Sequence, residues 1–214
     1  GPAASDAAPA LEALSEEEIL ANADPDDQNE DGISGRANWV DDITTGDLAL
    51  GRFGWKANQP SLIQQNAGAF NGDLGMTSDL FPESPCTSQQ AICEDMDIPG
   101  RELRDDELND LTMFTQLLAP PGRKDWTSDE VVRGEALFQD MGCQSCHVES
   151  WTTGSHALRE LSFQNIRPYT DLLLHDMGPE LADGRADGLA NGSEWRTPPL
   201  WGIGHIEEVN GILD

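Results

Sequence analysis

The chain has 214 residues, of which 37% are apolar, enough for one full domain or two small ones with a real core. Twelve basic against forty acidic residues give a formal net charge of −28, and only two lysines occur, Lys56 and Lys124. That balance excludes a nucleic-acid partner and a basic patch for anionic membranes, and favours cationic partners or metal ions. No run of about 18 apolar residues exists, so the sequence predicts no transmembrane segment.

Gly1-Pro2 has the look of a protease-cleavage scar, and the small, Pro-containing residues up to Ala10 suit a flexible tether over 1–10. Leu11 to Ala23 reads as a helix, with Ser15 and Glu18 as a capping box and Leu11, Leu14, Ile19 and Leu20 as its apolar stripe. Asp24 to Gly35 is an acidic, glycine-punctuated loop. Within it Asp27, Asn29 and Asp31 followed by Gly32 fit the start of a calcium-binding loop, with the Ile33 carbonyl as a further ligand. The twelfth position is Asn38 rather than the usual Glu, so the match is partial. Five carboxylates crowded between Asp24 and Asp31 repel one another without a cation, which favours calcium over a plain solvated turn.

Short β-like pieces are expected around Trp39-Val40 and Phe53–Trp55, then a helix from Pro60 through Phe70. Residues 71–100 are loop-rich. Cys86 and Cys93 bracket a short polar stretch there, and a disulfide between them would close a small loop, stabilising by about 2–3 kcal/mol and indicating an oxidising compartment. A helix capped by Asp105 or Asp106 runs through Leu118, and Pro120-Pro121-Gly122 ends it at the best domain boundary in the chain. Thr127 with Glu130 forms another capping box and opens a helix through Met141. Beyond Cys146-His147 the chain is mostly loop, with one short apolar turn from Tyr169 to His175.

The strongest signal is Cys143-Gln-Ser-Cys146-His147, the attachment motif of c-type haem. Cysteines three apart lie about one helical turn from each other, so both thiols reach the vinyl groups of one porphyrin, and His147 then binds the iron from the proximal side. A thioredoxin-like pair would need a βαβ setting, and a zinc site a second Cys/His pair; neither is present in the sequence. Met177 and His175 are the foremost candidates for a distal ligand, with His205 and His156 behind them. Arg196 is a candidate partner for a haem propionate. Trp151, Trp195 and Trp201 are candidates for electron entry or ordinary packing.

DGISGRANWV (31–40), GRFGWKANQPSLIQQNAGAFNGDLGMTS (51–78), the GEALF–GCQSCH stretch (134–147), PYTDLLLHDMGPELADGR (168–185) and EWRTPPLWGIG (194–204) together resemble the di-haem oxidoreductase family. Its members include proteins named thiol oxidoreductases, and it is related to the bacterial di-haem cytochrome c peroxidases. The elements read along the chain give a mainly α fold with long irregular loops, in which a cytochrome c-like haem domain follows a helical and loop segment with little β. The resemblance divides the chain at 11–121, resembling the end of a first haem domain, and 122–214, the opening of a second.

It also implies covalent haem c and an exported or periplasmic location, with a second haem domain or an electron-donor cytochrome as partner. Relatives carry two CxxCH sites and continue past residues 209–211, whereas this chain has the second site alone and stops at Asp214. The expectation is a portion of a larger enzyme or a pared-down relative, without a complete two-haem catalytic unit. The alternatives are a single-haem electron carrier and a haem-free, calcium-stabilised acidic interaction domain.

Overall fold

The computed structural model describes residues 9–90, 92–93 and 100–210. Residues 1–8 of the scar and tether expected over 1–10, and the last residues, 211–214, lie outside them, while Pro9 and Ala10 are ordered in a 3-10 turn with Ala10 buried. Among the described residues there are five short α-helices: α1 (Glu16–Leu20), α2 (Leu62–Leu74), α3 (Asp105–Gln116), α4 (Asp129–Asp140) and α5 (Ile206–Asn210). Seven strands accompany them: β1 (Gly35–Arg36), β2 (Trp39–Asp42), β3 (Asp47–Leu50), β4 (Trp151–Thr152), β5 (Asn165–Ile166), β6 (Leu174–Asp176) and β7 (Glu194–Arg196).

With 31% helix and 12% strand, the architecture is a mixed α/β one with small sheets, and the expectation of a mainly α fold is corrected. The reason is physical. Most of these strands are two or three residues long, too short for a period-two pattern, and they form through pairings distant in the chain. In the three-stranded sheet β1–β6–β7, Gly35 pairs with His175 and Leu174 with Arg196. β2 and β3 form a local hairpin, and β4 pairs with β5.

Caps set the helix starts. Ser15 lies in extended conformation and its Oγ accepts from the Glu18 amide, so α1 begins at Glu16, and Pro9–Leu11 before it forms a separate 3-10 turn. Ser61 caps α2, which runs past Phe70 to Leu74 and ends on Gly75 with φ at +72°, a left-handed position suited to glycine. α3 is preceded by Arg104, whose amide donates to Glu107 Oε2 at 3.1 Å, rather than by Asp105 or Asp106. Ser128, not Thr127, caps α4 through the Val131 amide.

The main core gathers Leu11, Leu14, Ile19, Leu50, Phe53, Leu62, Trp151, Leu172 and Leu173 from both sides of the Pro120-Pro121 boundary. A smaller one joins Ala67, Leu103 and Leu108 under α2 and α3. Gly35 is required by a close approach: a Cβ there would lie 2.9 Å from His175 Cε1 and 3.1 Å from Leu173 Cδ1. Removing buried methylenes at the centre of this packing leaves a cavity. Leu173→Ala is therefore expected to cost about 2–5 kcal/mol in urea denaturation. Leu48→Ala, at a side chain 65% exposed, should change stability by no more than about 0.5 kcal/mol.

Candidate functional site

The CQSCH segment follows α4 directly. Met141 and Gly142 end the helix, Gly142 at φ +76°, and Cys143–Ser145 form a 3-10 turn. The His147 amide closes it on the Cys143 carbonyl at 3.0 Å. Both thiols are half-buried and neither is in a disulfide, whereas Cys86 and Cys93 are joined in one with their Cα atoms 5.7 Å apart.

The stretch Tyr169–His175 fixes the turn from the other side. The Asp171 amide donates to the Cys146 carbonyl and the Thr170 amide to the Val148 carbonyl, each at 3.0 Å. Trp151 Nε1 donates to the Thr170 carbonyl at 2.9 Å. His147 Nδ1 lies 2.7 Å from the Tyr169 carbonyl. A carbonyl only accepts, so Nδ1 carries the proton and Nε2 keeps its lone pair for a metal. Phe138 packs edge-on to both the His147 and Tyr169 rings, with centroids at 6.1 and 5.8 Å.

A cavity of about 640 Å³ is lined by Phe138 and Tyr169, the two residues that contact this imidazole, but not by His147, Cys143 or Cys146 themselves. One face of α4 lines it through Val131, Gly134, Glu135 and Phe138, spaced at helical i, i+3, i+4 and i+7, and Tyr169, Leu200 and Trp201 face them. No residue of α4 is fully buried, so its apolar stripe is only half covered by protein. The residues fit a covalently held haem. Two thiols outside any disulfide sit a turn apart, an imidazole has its tautomer fixed by a backbone acceptor, and the apolar cavity reached past Phe138 and Tyr169 falls within the size range of cofactor sites.

The other expected site residues are placed differently. His175 is buried, with Nε2 2.7 Å from Asp171 Oδ2 and Nδ1 3.6 Å from Cys146 Sγ. Both its nitrogens are occupied, on the side of the attachment cysteine, so it is not arranged as a distal ligand. Met177 is half exposed on the loop after β6 and does not line the cavity. His156 Nδ1 accepts from the Leu158 amide at 3.1 Å, and His205, which lines the cavity, engages the Gly122 carbonyl and Glu208. Arg196 is buried away from the cavity, donating from Nε to the Gly54 carbonyl at 2.7 Å and from Nη1 to the Thr197 carbonyl. The site depends on Tyr169, Asp171 and Phe138, which sequence reasoning missed. Asp171 and His175, four apart in an otherwise apolar run, were the available signal for a buried pair.

The acidic loop turns its oxygens onto its own backbone. Asp27 accepts from the Gly32 amide, Asn29 Oδ1 from the Asp31 amide and Asp31 from the Ile33 amide, while Asp24 accepts from Gln28 and Asn29. Asn38 is drawn into the core, where Nδ2 donates to the Lys56 and Ala57 carbonyls. Asn29 and Asp31 touch through Nδ2 and Oδ2 at 3.1 Å, and Asn38 lies apart from them in the core. Among the described residues no group of three or more His, Cys, Asp or Glu side chains is gathered as a metal site.

Burial alone pushes the His175 imidazole down, but hydrogen bonds to Asp171 and Cys146 and the nearby negative charge outweigh it and raise its pKa from 6.5 to about 10. A pKa raised by folding contributes stability that is complete below the unfolded value and is lost as pH rises through the folded one. In urea denaturation of the haem-free protein, the difference in stability between wild type and His175→Gln should therefore be largest near pH 6. It should shrink steadily towards pH 10.

No curated protein and no solved structure matches the chain. A family model described as "Di-haem oxidoreductase, putative peroxidase" matches residues 8–213. Among the described residues no helix is long and apolar enough to cross a membrane. The match covers nearly the whole sequence and brings with it haem as the cofactor class and oxidoreduction as the role: the chain belongs to the di-haem oxidoreductase family.

Proposed function

We propose that this chain is a haem-c redox module of a periplasmic di-haem oxidoreductase, with the porphyrin joined to Cys143 and Cys146 and the iron bound by His147 Nε2. The observation that carries the reading is the 2.7 Å contact between His147 Nδ1 and the Tyr169 carbonyl. Donation from Nδ1 to a backbone acceptor holds the ring in one tautomer and makes Nε2 a better ligand. Phe138 limits rotation of the same ring from the α4 side.

When bound, the haem supplies one-electron chemistry at its iron. The chain contributes the cavity wall of α4, Tyr169 and Trp201, which would shield the macrocycle from water and hold it against the CQSCH turn. The Cys86–Cys93 disulfide supports export, since disulfides persist in oxidising compartments. A second haem domain or an electron-donor cytochrome is the partner this reading requires, because peroxidase-type turnover in relatives of this family passes electrons between two haems.

The test is export of the chain alongside cytochrome maturation machinery, followed by intact mass and absorption spectroscopy. The expected product is red and heavier than the polypeptide by one haem, and Cys143→Ala with Cys146→Ala abolishes the added mass. A correctly exported protein that is colourless and has the mass of its amino acids alone contradicts the proposal.

A further inference from the structure

With 12 basic and 40 acidic residues, most cations of this chain have a fixed partner. Arg36, Arg101, Arg104, Lys124, Arg159 and Arg167 are in ion pairs. Arg52 and Lys56 are buried against backbone carbonyls. Arg123 differs. It lines the 640 Å³ cavity, and among the described residues no hydrogen bond or ion pair holds its guanidinium.

Two more cations, Lys124 and Arg167, line the same cavity, each already matched to a carboxylate, Glu208 and Glu149 respectively. Three of the twelve cations thus surround one largely apolar space in a protein of charge −28. Arg123 is close enough to the Tyr169 phenol for its charge to oppose the upward push on that group from burial and from Glu149. Tyr169 is also the residue whose carbonyl holds His147, so the cation and the iron-binding imidazole flank the same residue.

A ligand for such a space has a flat apolar body and an anionic edge. A porphyrin with two propionates has that form, and a guanidinium binds a carboxylate through paired N–H donors. We infer that Arg123 is the residue that takes a haem propionate in this chain, in place of Arg196, whose guanidinium is committed to the Gly54 and Thr197 carbonyls. The inference rests on the haem-c reading above and names the residue that anchors the far edge of the cofactor. An arginine paired with a propionate offsets that negative charge near the iron, so its presence favours the reduced state and raises the midpoint potential.

The test uses exported, haem-loaded protein and four chains: wild type, Arg123→Gln, Arg123→Lys and Arg133→Gln. Arg133 is an exposed residue of α4 that does not line the cavity, and so serves as the control. Intact mass first establishes haem attachment in each, and spectroelectrochemistry then gives the midpoint potentials. The expected result is a lower potential for Arg123→Gln, substantial recovery for Arg123→Lys and no change for Arg133→Gln. Haem attached normally with Arg123→Gln at the wild-type potential overturns the inference and leaves the haem-c reading standing. Absence of haem from the wild type overturns both.

Discussion

The site depends on one buried stretch, Tyr169–His175, threaded between the CQSCH turn and the small sheet. Its backbone amides hold the Cys146 and Val148 carbonyls, and its Tyr169 carbonyl holds the His147 ring. The Thr170 carbonyl anchors Trp151 and its hydroxyl donates to the Thr197 carbonyl. Leu172 and Leu173 enter the main core, and Leu174 and His175 pair with Arg36 and Gly35 on one side and Arg196 and Trp195 on the other. Tyr169 and Leu172 both adopt positive φ, at 56° and 63°, conformations uncommon for such residues. The surrounding packing and hydrogen bonds hold those two residues in place, and the imidazole is thereby fixed by the core of the protein rather than by a mobile loop.

A chain with so much irregular backbone must still satisfy its buried carbonyls. Here buried cations perform that task. Arg52 donates to the carbonyls of Leu11 and Leu14, tying the N-terminal turn to the loop after β3. Lys56 donates to those of Asn191 and Glu194 and lies 4.1 Å from the Trp195 ring centroid. Arg36 engages Glu194 through two nitrogens. Each of these contacts joins residues from the first sixty positions to partners far along the chain or across an irregular loop. Four of the twelve cations, Arg36, Arg52, Lys56 and Arg196, thus cap carbonyls that regular secondary structure leaves open.

Local chemistry was readable from sequence wherever it is local in the fold. Ser15 and Glu18 cap a helix, and the Trp39-Val40 piece is a strand of a hairpin whose partner follows within ten residues. The family resemblance, carried by long motifs, agrees with the family model over almost the full length. What sequence could not reveal depends on partners remote in the chain. Gly35-Arg36 is a strand only because residues 174–175 come alongside, and Arg196 is buried because the Gly54 carbonyl waits for it. Asn38 occupies the twelfth position of a loop motif, yet the two carbonyls after Trp55 capture its amide and remove it from the loop. The α4 helix shows the converse: its extent was legible, but none of its residues is fully buried, and Val131 and Phe138 face the cavity, which fits a wall built for a cofactor.

On the proposed function, His147 presents Nε2 to iron because the Tyr169 carbonyl holds Nδ1. Nitrogen-selective NMR of the haem-loaded protein, with the histidines labelled, reads this directly. The expected spectrum shows a protonated Nδ1 on His147 whose hydrogen exchanges slowly with solvent, and a ring resonance shifted by the neighbouring iron. A His147 ring protonated at Nε2, or one that senses no iron in protein shown to carry haem, contradicts it.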